Sequence, residues 1–408
     1  MSRLLLLSNG HGEDLSGALL GRQLLAAGLA VEALPLVGHG HAYRQAGIPV
    51  LGPTREFSTG GLGYTSLAGR LTELREGQYL DLLRRLARLR GRRDSLIVAI
   101  GDLLPLLIGW LQRRPMAVYL VAYSSHYEGR LRLPWPCGWL LRRRRIRRVW
   151  SRDALTATDL SRQLGRPVTF LGNPFLDPVA GATEEIPGQA AQTLAVLPGS
   201  RLPEALRNLA AILAVLAQLP EPLQQPQRLA LQAALVSTLK PATLSQLAAP
   251  LGWHLESGQG PADGNASHVL RRGSLRLQLH WGRFAAVLRG SDLVLSMTGT
   301  AAEQAVGLGK PVLQLEGQGP QFTAGFAEAQ RRLLGPGLRC APGGADHISA
   351  TAALAASLLH SLADGERGRR WRAELAVLGQ ERIGPPGGSE RMAAAIMDLL
   401  STLPASQR

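Results

Sequence analysis

Short apolar runs alternate with stretches of helical periodicity in the first half of the chain. The runs predict buried strands at residues 4–8, 31–34, 96–100, 117–122 and 168–171. The stretches 14–27 and 71–89 have leucines at helical spacing and predict amphipathic helices. Because strands that alternate with helices build βαβ units, the pattern predicts a parallel sheet.

The same alternation restarts after residues 172–188, which are rich in proline, glycine and acidic residues and indicate a linker. Further strands are predicted at residues 193–197, 229–236, 292–295 and 311–315, and helices at 204–219, 303–307 and from Ser389 to about Leu400. The stretch 255–279 is interrupted by proline, glycine and asparagine and predicts no element. A β/α pattern that restarts predicts two Rossmann-like domains that face each other across a cleft.

We therefore divide the chain into four parts. A first Rossmann-like domain covers residues 1–172, a linker 173–190, a second Rossmann-like domain 191–380, and a closing helical segment 381–408. The chain of 408 residues, 45% hydrophobic and 18% charged, is long and apolar enough for such a globular protein.

Cysteine content and apolar runs limit the class of protein further. Cys137 and Cys340 lie far apart and indicate neither a disulfide framework nor a zinc site, which fits a reducing compartment. The apolar run 4–7 is too short for a signal peptide, and no apolar stretch reaches the roughly 18 residues of a transmembrane helix. Histidine and acidic residues show no clustered ligand pattern, so no metal is predicted.

The net charge of +15 comes almost entirely from arginine, since only Lys240 and Lys310 are lysines. A basic surface attracts phosphates, whether they belong to nucleic acid, anionic lipid or a small substrate. The net charge therefore favours partners that carry phosphate groups.

The loop Ser8-Asn9-Gly10-His11-Gly12-Glu13-Asp14 lies between the first strand and the first helix, where α/β sheets bind ligands. A dinucleotide site is rejected because the third glycine of the fingerprint is displaced to Gly17. His11, Glu13 and Asp14 are expected to have a chemical task here, because these three side chains together are costly in a turn without one. The alternative is a plain turn in which Asp14 or Ser16 caps the helix.

Asp102 follows the predicted strand 96–100 and is expected at the same edge of the sheet as His11. Either side chain can act as a general base, His11 because histidine titrates near neutrality and Asp102 if it is desolvated. The alternative is that Asp102 caps a helix and His11 only fills a turn.

Two glycine-containing turns in the second half predict a diphosphate site. Gly199, Ser200 and Arg201 precede the helix at 204, and helix N-termini together with arginine suit phosphate oxygens. A second set lies at the helix start near 300 and offers hydroxyls, close ligand approach and a side chain for ribose hydroxyls. Its members are Thr298, Gly299, Thr300, Glu303 and Gln304. The alternatives are a capped turn and a capping box of Thr300 with Glu303.

A basic and aromatic cluster lies within residues 131–150. Its arginines are Arg142, Arg143, Arg144, Arg145, Arg147 and Arg148, and its tryptophans are Trp135, Trp139 and Trp150. Arginine mixed with tryptophan predicts first an anionic membrane surface. A solvated basic face is the second interpretation, and nucleic acid is the third and an unlikely one.

These motifs resemble those of the lipid A disaccharide synthases, and more closely a divergent group related to them. Leu197–Glu204 (LPGSRLPE) is similar to the family's LPGSR-x-x-E, and Gly172–Asp177 to its G-H-P-x-x-D. Thr298–Pro311 (TGTAAEQAVGLGKP) is similar to its SGTATLEAALLGKP, and Gly387–Arg391 recurs in related peptidoglycan glycosyltransferases. The resemblance extends from end to end, with the best motifs in the second half.

The resemblance implies a GT-B fold with a UDP-sugar held by the second domain and an acceptor held by the first. The last helix would return to the first domain, and no cofactor is implied. It also implies an inverting glycosyltransferase that acts on a lipid or glycolipid acceptor, cytoplasmic and peripheral on the inner face of the cytoplasmic membrane. Alternatives are a UDP-sugar 2-epimerase and a non-catalytic membrane-surface protein.

Three departures from the family pattern matter. The ribose-binding glutamate of the family falls on Gln304, with Glu303 one residue and about 100° of helix away. The S-G-D pattern of the family survives only loosely in residues 11–17, and its aspartate-rich strand end is reduced to Gly101-Asp102. The donor half therefore matches the family better than the acceptor half.

Overall fold

The computed structural model describes residues 2–52, 85–127, 129–186, 190–258, 267–317 and 324–404. The chain forms two compact units, Met1–Asp177 with Gly384–Arg408 and Pro178–Ile383. Each unit is an α/β domain with a mainly parallel sheet. The helix predicted at 71–89 lies mostly outside the described residues. The cleft between the domains stays a prediction.

The first unit has a doubly wound sheet in the order β2-β1-β3-β4-β5-β6, and its described strand pairs are parallel. Its strands are β1 Arg3–Ser8, β2 Ala30–Pro35, β3 Leu96–Gly101, β4 Met116–Leu120, β5 Ile146–Ser151 and β6 Thr169–Phe170. Its helices are α1 His11–Ala26, α2 His41–Gln45, α3 Leu103–Leu111, α4 Trp135–Leu141, α5 Ala154–Leu164 and α14 Gly388–Thr402, and α6 Asp177–Ala180 begins at its boundary with the second unit.

Strand β1 shows why the first unit needs helices on both faces of its sheet. All four of its leucines are fully buried, with Leu4 and Leu6 in one apolar cluster and Leu5 and Leu7 in another. Helix α14 supplies Met392 to the first cluster and packs against α1. A strand that is covered on both faces is a continuous apolar run, which is the pattern seen in the sequence.

The second unit has the sheet order β14-β13-β12-β7-β8-β11-β10-β9. Its strands are β7 Gln192–Leu197, β8 Leu229–Leu235, β9 His254–Gly258, β10 Ser267–Arg272, β11 Leu275–Trp281, β12 Leu293–Ser296, β13 Val312–Gln314 and β14 Leu338–Cys340. Its helices are α7 Glu204–Leu216, α8 Pro241–Ala248, α9 Phe284–Arg289, α10 Thr300–Gly307, α11 Ala324–Leu334, α12 His347–Ala363 and α13 Gly365–Arg382. Strands β9 and β10 form an antiparallel extension in the stretch for which no element was predicted.

Asp177 fastens the first unit's two distant chain segments to each other. Its carboxylate accepts hydrogen bonds from the backbone amides of Gly387, Gly388 and Ser389 at 2.6, 3.1 and 2.9 Å. The Ser389 hydroxyl donates a fourth at 2.5 Å. The carboxylate therefore caps the N-terminus of α14, where free amides and the helix dipole favour negative charge.

We expect Asp177→Ala to lower the free energy of unfolding of the first unit by about 2–3 kcal/mol, through the lost cap and charged hydrogen bonds. Chemical denaturation measures this loss. Asp398→Ala is the matched control, because Asp398 lies on the same helix, is 66% exposed and makes only a surface ion pair with Arg148. Equal stability of the two variants would contradict the capping role.

Candidate functional site

The second unit has its chain reversal between β7 and β12, which are neighbours in the sheet. β8 and β11 lie on one side of β7, and β12, β13 and β14 on the other. In open α/β sheets, ligands bind beyond the carboxyl ends of the strands at such a switch point. The loops that follow β7 and β12 carry the two predicted donor motifs.

These two loops contact each other. Gly199 has φ +105°, and a Cβ added there would lie 3.4 Å from the Met297 carbonyl oxygen. The Asn208 amide, on α7, donates to the Pro198 carbonyl at 2.9 Å and holds the first loop. Only glycine combines this backbone conformation with so close an approach. The structure therefore brings Gly199 next to Thr298.

The first donor loop precedes its helix rather than forming its first turn. α7 begins at Glu204, and the Arg201 carbonyl accepts from the Ala205 amide at 2.7 Å. Ser200 is exposed and Arg201 is half-buried. Both residues lie in the turn itself, so an anion bound there would contact turn amides and the Arg201 side chain.

The second donor loop leads into α10, which begins at Thr300 with Gly299 as its N-cap. The predicted capping box is wrong, because Thr300 is inside the helix and the Glu303 amide bonds to the Gly299 carbonyl at 3.2 Å. The Thr298 hydroxyl lies 2.6 Å from that of Ser296. Glycine contributes no side-chain cap, so the N-terminal amides of α10 suit an anionic ligand.

Burial separates the two ribose-binding candidates. Gln304 is only 5% exposed and faces the interior, whereas Glu303 is partly exposed. The two side chains differ by one helical step, so they cannot occupy the same direction. The structure favours Glu303 over Gln304 as the residue that a ligand can reach.

The sequence did not reveal a buried pair of side-chain amides next to the second donor loop. Gln314 ends β13 and donates through Nε2 to Oε1 of Gln330, on α11, at 2.8 Å. A Cβ added to Gly299 would lie 3.8 Å from the Gln330 side-chain nitrogen. The available signal was a polar residue inside the apolar run of residues 311–315, since buried polar groups require partners.

The first unit has a corresponding switch point between β1 and β3. The Asn9 amide donates to Oδ1 of Asp102 at 2.7 Å, and the Leu104 amide donates to the same oxygen at 2.8 Å. Asp102 is therefore the N-cap of α3, which confirms the alternative that it caps a helix. Gly101 has φ +133°, and a Cβ there would overlap the Asn9 side-chain oxygen.

His11 and Glu13 lie in the first turn of α1, not in a loop. The prediction that the helix begins at 14 is wrong by three residues, since Gly10 is the N-cap and its carbonyl accepts from the Asp14 amide at 2.8 Å. Acidic side chains stabilise the first turn of a helix, because the N-terminal end of the helix dipole is positive. The acidic residues here therefore allow the helix to begin inside a segment that contains glycine. The His11 ring lies against Gly38, and a Cβ added at Gly38 would lie 3.3 Å from Cε1 of that ring.

Asp14 is the residue in this region whose role the sequence did not show. It is 2% exposed, accepts from the Ser8 hydroxyl at 2.6 Å, and Ser8 in turn accepts from the Tyr43 hydroxyl at 2.8 Å. Burial raises the pKa of the Asp14 carboxyl to about 7, against the lowering effect of the Ser8 hydrogen bond. Capping of α1 by Asp14 or Ser16 is wrong, because both are buried inside the helix.

The arginine and tryptophan cluster divides between two elements. Helix α4 ends before the arginines, and β5 begins after the fourth of them. Trp135 and Trp139 are 83% and 44% exposed, but Trp150 is 1% exposed. Trp150 therefore belongs to the core of the first unit, where it is part of the apolar cluster that contains Leu4 and Met392.

Several arginines of the cluster are held by neutral groups. Arg142 donates to the Gly138 and Gln163 carbonyls at 3.2 and 2.6 Å. Arg143 stacks 3.8 Å from the ring centre of Trp139, and Arg145 stacks 4.0 Å from that of Trp110. These contacts orient the side chains without neutralising them. Arg148 differs, since it pairs with Asp398.

The chain matches no protein-family model and no curated protein sequence. It is similar over nearly its whole length to several solved structures. A protein from Listeria monocytogenes assigned as UDP-N-acetylglucosamine 2-epimerase shares 13% identity over 98% of this chain and 97% of that one, with a TM-score of 0.55. S. aureus MnaA, in a co-structure with UDP, shares 14% over 99% and 98%, with a TM-score of 0.57. CalG4, the calicheamicin glycosyltransferase, shares 17% over 98% and 99%, with a TM-score of 0.56.

At these identities the likeness defines the fold. The protein is a two-domain, GT-B-like α/β protein, in the class of folds that includes glycosyltransferases and UDP-sugar epimerases, as the sequence predicted. The comparisons lend no support to the narrower resemblance to lipid A disaccharide synthases, which stays a prediction.

Neither a membrane-spanning helix nor a cluster of metal ligands is present in the described residues. Within those ranges, no helix is long and apolar enough to cross a bilayer. No group of three or more histidine, cysteine or acidic side chains in the same ranges is arranged to hold a metal ion.

Proposed function

We propose that the protein is an inverting glycosyltransferase that transfers a sugar from a UDP-sugar to a lipid or glycolipid acceptor, in the manner of the lipid A disaccharide synthases. The observation that carries the proposal is the switch point of the second unit. There the Gly199 turn contacts Met297 and Thr298, which lead into the N-terminus of α10. A site of this kind suits the diphosphate of a sugar nucleotide.

The donor diphosphate would bind to backbone amides of the two loops and to the guanidinium of Arg201. As the bond from sugar to diphosphate breaks, negative charge grows on the departing phosphate oxygen. Backbone amides and a guanidinium group that are already in position would stabilise that charge without a metal ion. Glu303, one turn into α10, would accept hydrogen bonds from the ribose hydroxyls.

The acceptor would be activated by the first unit. Oδ1 of Asp102 is already engaged by Asn9 and Leu104, so its role is to hold Asn9, which precedes the helical turn that carries His11. His11 is then the general base that takes the proton of the acceptor hydroxyl. Glu13, two residues further in the same turn, would orient the acceptor or the histidine.

A lipidic acceptor implies a membrane surface as partner, with the protein peripheral on the cytoplasmic face of the membrane. The exposed tryptophans of α4 and the exposed arginines that follow it support this part of the proposal. Basic residues contribute roughly 1 kcal/mol each near an anionic surface, and salt screens that attraction.

The test of the donor site is the affinity for UDP. We expect Arg201→Ala to weaken UDP binding by roughly 10- to 100-fold, since a charged hydrogen bond contributes about 1.5–3 kcal/mol. Isothermal titration calorimetry measures the change. Arg207→Ala is the control, because Arg207 is on α7 but pairs with Glu204 at the surface. Unchanged affinity in the Arg201 variant would refute the assignment.

A 2-epimerase is the second candidate, favoured by the fold likeness to the L. monocytogenes protein. Such an enzyme needs the same donor site and no acceptor. Incubation with UDP-N-acetylglucosamine alone distinguishes the two functions, because only the epimerase converts it to a new UDP-sugar. A protein that binds no nucleotide at all would instead be a non-catalytic surface protein.

A further inference from the structure

A groove of about 810 Å³ lies beside α4 in the first unit, and no residue of the β1 and β3 loops described above lines it. Its walls are the segment 130–134, helix α4 and the last turn of α5. The side chains that matter here are Arg130, Arg132, Trp135, Trp139 and Arg142. No residue that lines this groove, among those the structure describes, is acidic.

The groove borders an exposed apolar surface. Trp135 and Trp139 are 83% and 44% exposed, and Leu107 and Leu111 on the neighbouring α3 are 39% and 60% exposed. The two helices pack together, with the rings of Trp110 and Trp139 edge to face at 6.1 Å. Large apolar side chains gathered on one surface indicate an interaction site rather than chance exposure.

The charge of the groove is positive and largely uncompensated. Arg130 and Arg132 are exposed, and Arg142 is held in place by two neutral carbonyls. Asp159, outside the lining, accepts from the Leu131 amide at 2.7 Å and from the Gln163 side-chain amide at 2.9 Å, and it interacts electrostatically with Arg130. A phosphate is the complementary group, because guanidinium donors match its oxygens.

We propose that this groove binds the phosphodiester headgroup of an anionic phospholipid while Trp135, Trp139 and Leu111 enter the bilayer interface. The inference rests on the proposed membrane partner and gives it a definite site. Tryptophan is enriched at the boundary between headgroups and acyl chains, because its ring is largely apolar while its N–H can bond to water or headgroups. The exposed apolar surface beside the groove, which we call the apolar rim, favours a lipid over a soluble phosphate compound. A soluble compound would leave the exposed leucines in contact with water.

The experiment compares two double variants that remove the same charge. Arg130→Gln with Arg132→Gln alters the groove, and Arg367→Gln with Arg369→Gln alters two exposed arginines on α13, in the second unit. Co-sedimentation is measured with phosphatidylcholine vesicles that contain or lack phosphatidylglycerol. We expect the groove variant to lose at least about tenfold in affinity for phosphatidylglycerol vesicles and the control variant less than about threefold. Equal losses, or none, would overturn the proposal.

A third variant, Trp135→Ala with Trp139→Ala, tests the apolar rim and should weaken vesicle binding without changing net charge. UDP affinity is measured on every variant, so that a failed donor site is recognised separately from a failed groove. Binding of single-stranded DNA is the further comparison. If the groove variant loses DNA binding while vesicle binding is kept, the occupant is nucleic acid and the lipid proposal fails.

Discussion

Replacement of His11 by alanine should lower the turnover of sugar transfer by about 10²–10⁴-fold and leave the affinity for UDP unchanged. The reason is that His11 lies in the first turn of α1 at the switch point of the first unit, whereas the predicted donor site lies wholly in the second unit. Removing a general base affects the chemical step and not the binding of the donor. UDP release in the presence of acceptor measures the rate.

Two companion variants sharpen this test. Asp102→Asn keeps an oxygen that can accept from Asn9 and Leu104, so the cap of α3 is retained while the carboxylate is lost. If Asp102 only positions the loop, this variant should keep turnover within about tenfold. His41→Ala, which removes an exposed histidine at the start of α2, should have no effect. Wild-type turnover in the His11 variant would exclude His11 as the base.

Stability of the first unit should fall as pH rises from about 4 to about 7, because Asp14 is buried. Burial raises the pKa of the Asp14 carboxyl from its ordinary value of 3.8 to about 7 in the folded state. The folded protein therefore keeps a proton that the unfolded chain releases between these two pH values. Linkage then makes the folded state less stable with rising pH, by at most about 4 kcal/mol at 1.36 kcal/mol per unit. The loss is complete above the folded pKa.

Asp14→Asn should remove this pH dependence and make the protein more stable than wild type at about pH 8, since asparagine can still accept from Ser8 and carries no charge. Chemical denaturation at about pH 5 and about pH 8 measures the difference between wild type and variant. Asp346→Asn, at an exposed aspartate, is the control. An Asp14 variant that follows the pH dependence of wild type would show that the carboxyl titrates normally.

The candidate site divides into parts that local sequence could reveal and parts that it could not. Gly199 and the Thr298–Thr300 segment were recognisable because a glycine-containing turn between an apolar strand and a helix is a local pattern. The engagement of Asp102 by Asn9 was not, because those residues are 93 positions apart. The burial of Trp150 was misjudged for the same reason, since composition alone placed it with its exposed neighbours.

The sequence by itself determined the two α/β units, most of their strands and the positions of the loops proposed to carry chemistry, since these depend on periodicity and turn residues within about ten positions. Only the tertiary structure decided which loops meet, because strand order within the sheet selects β7 with β12 and β1 with β3. It also decided that Asp177 caps α14 and that Asp14 is desolvated. Burial and long-range hydrogen bonds are properties of the packed chain, and no local pattern of residues encodes them.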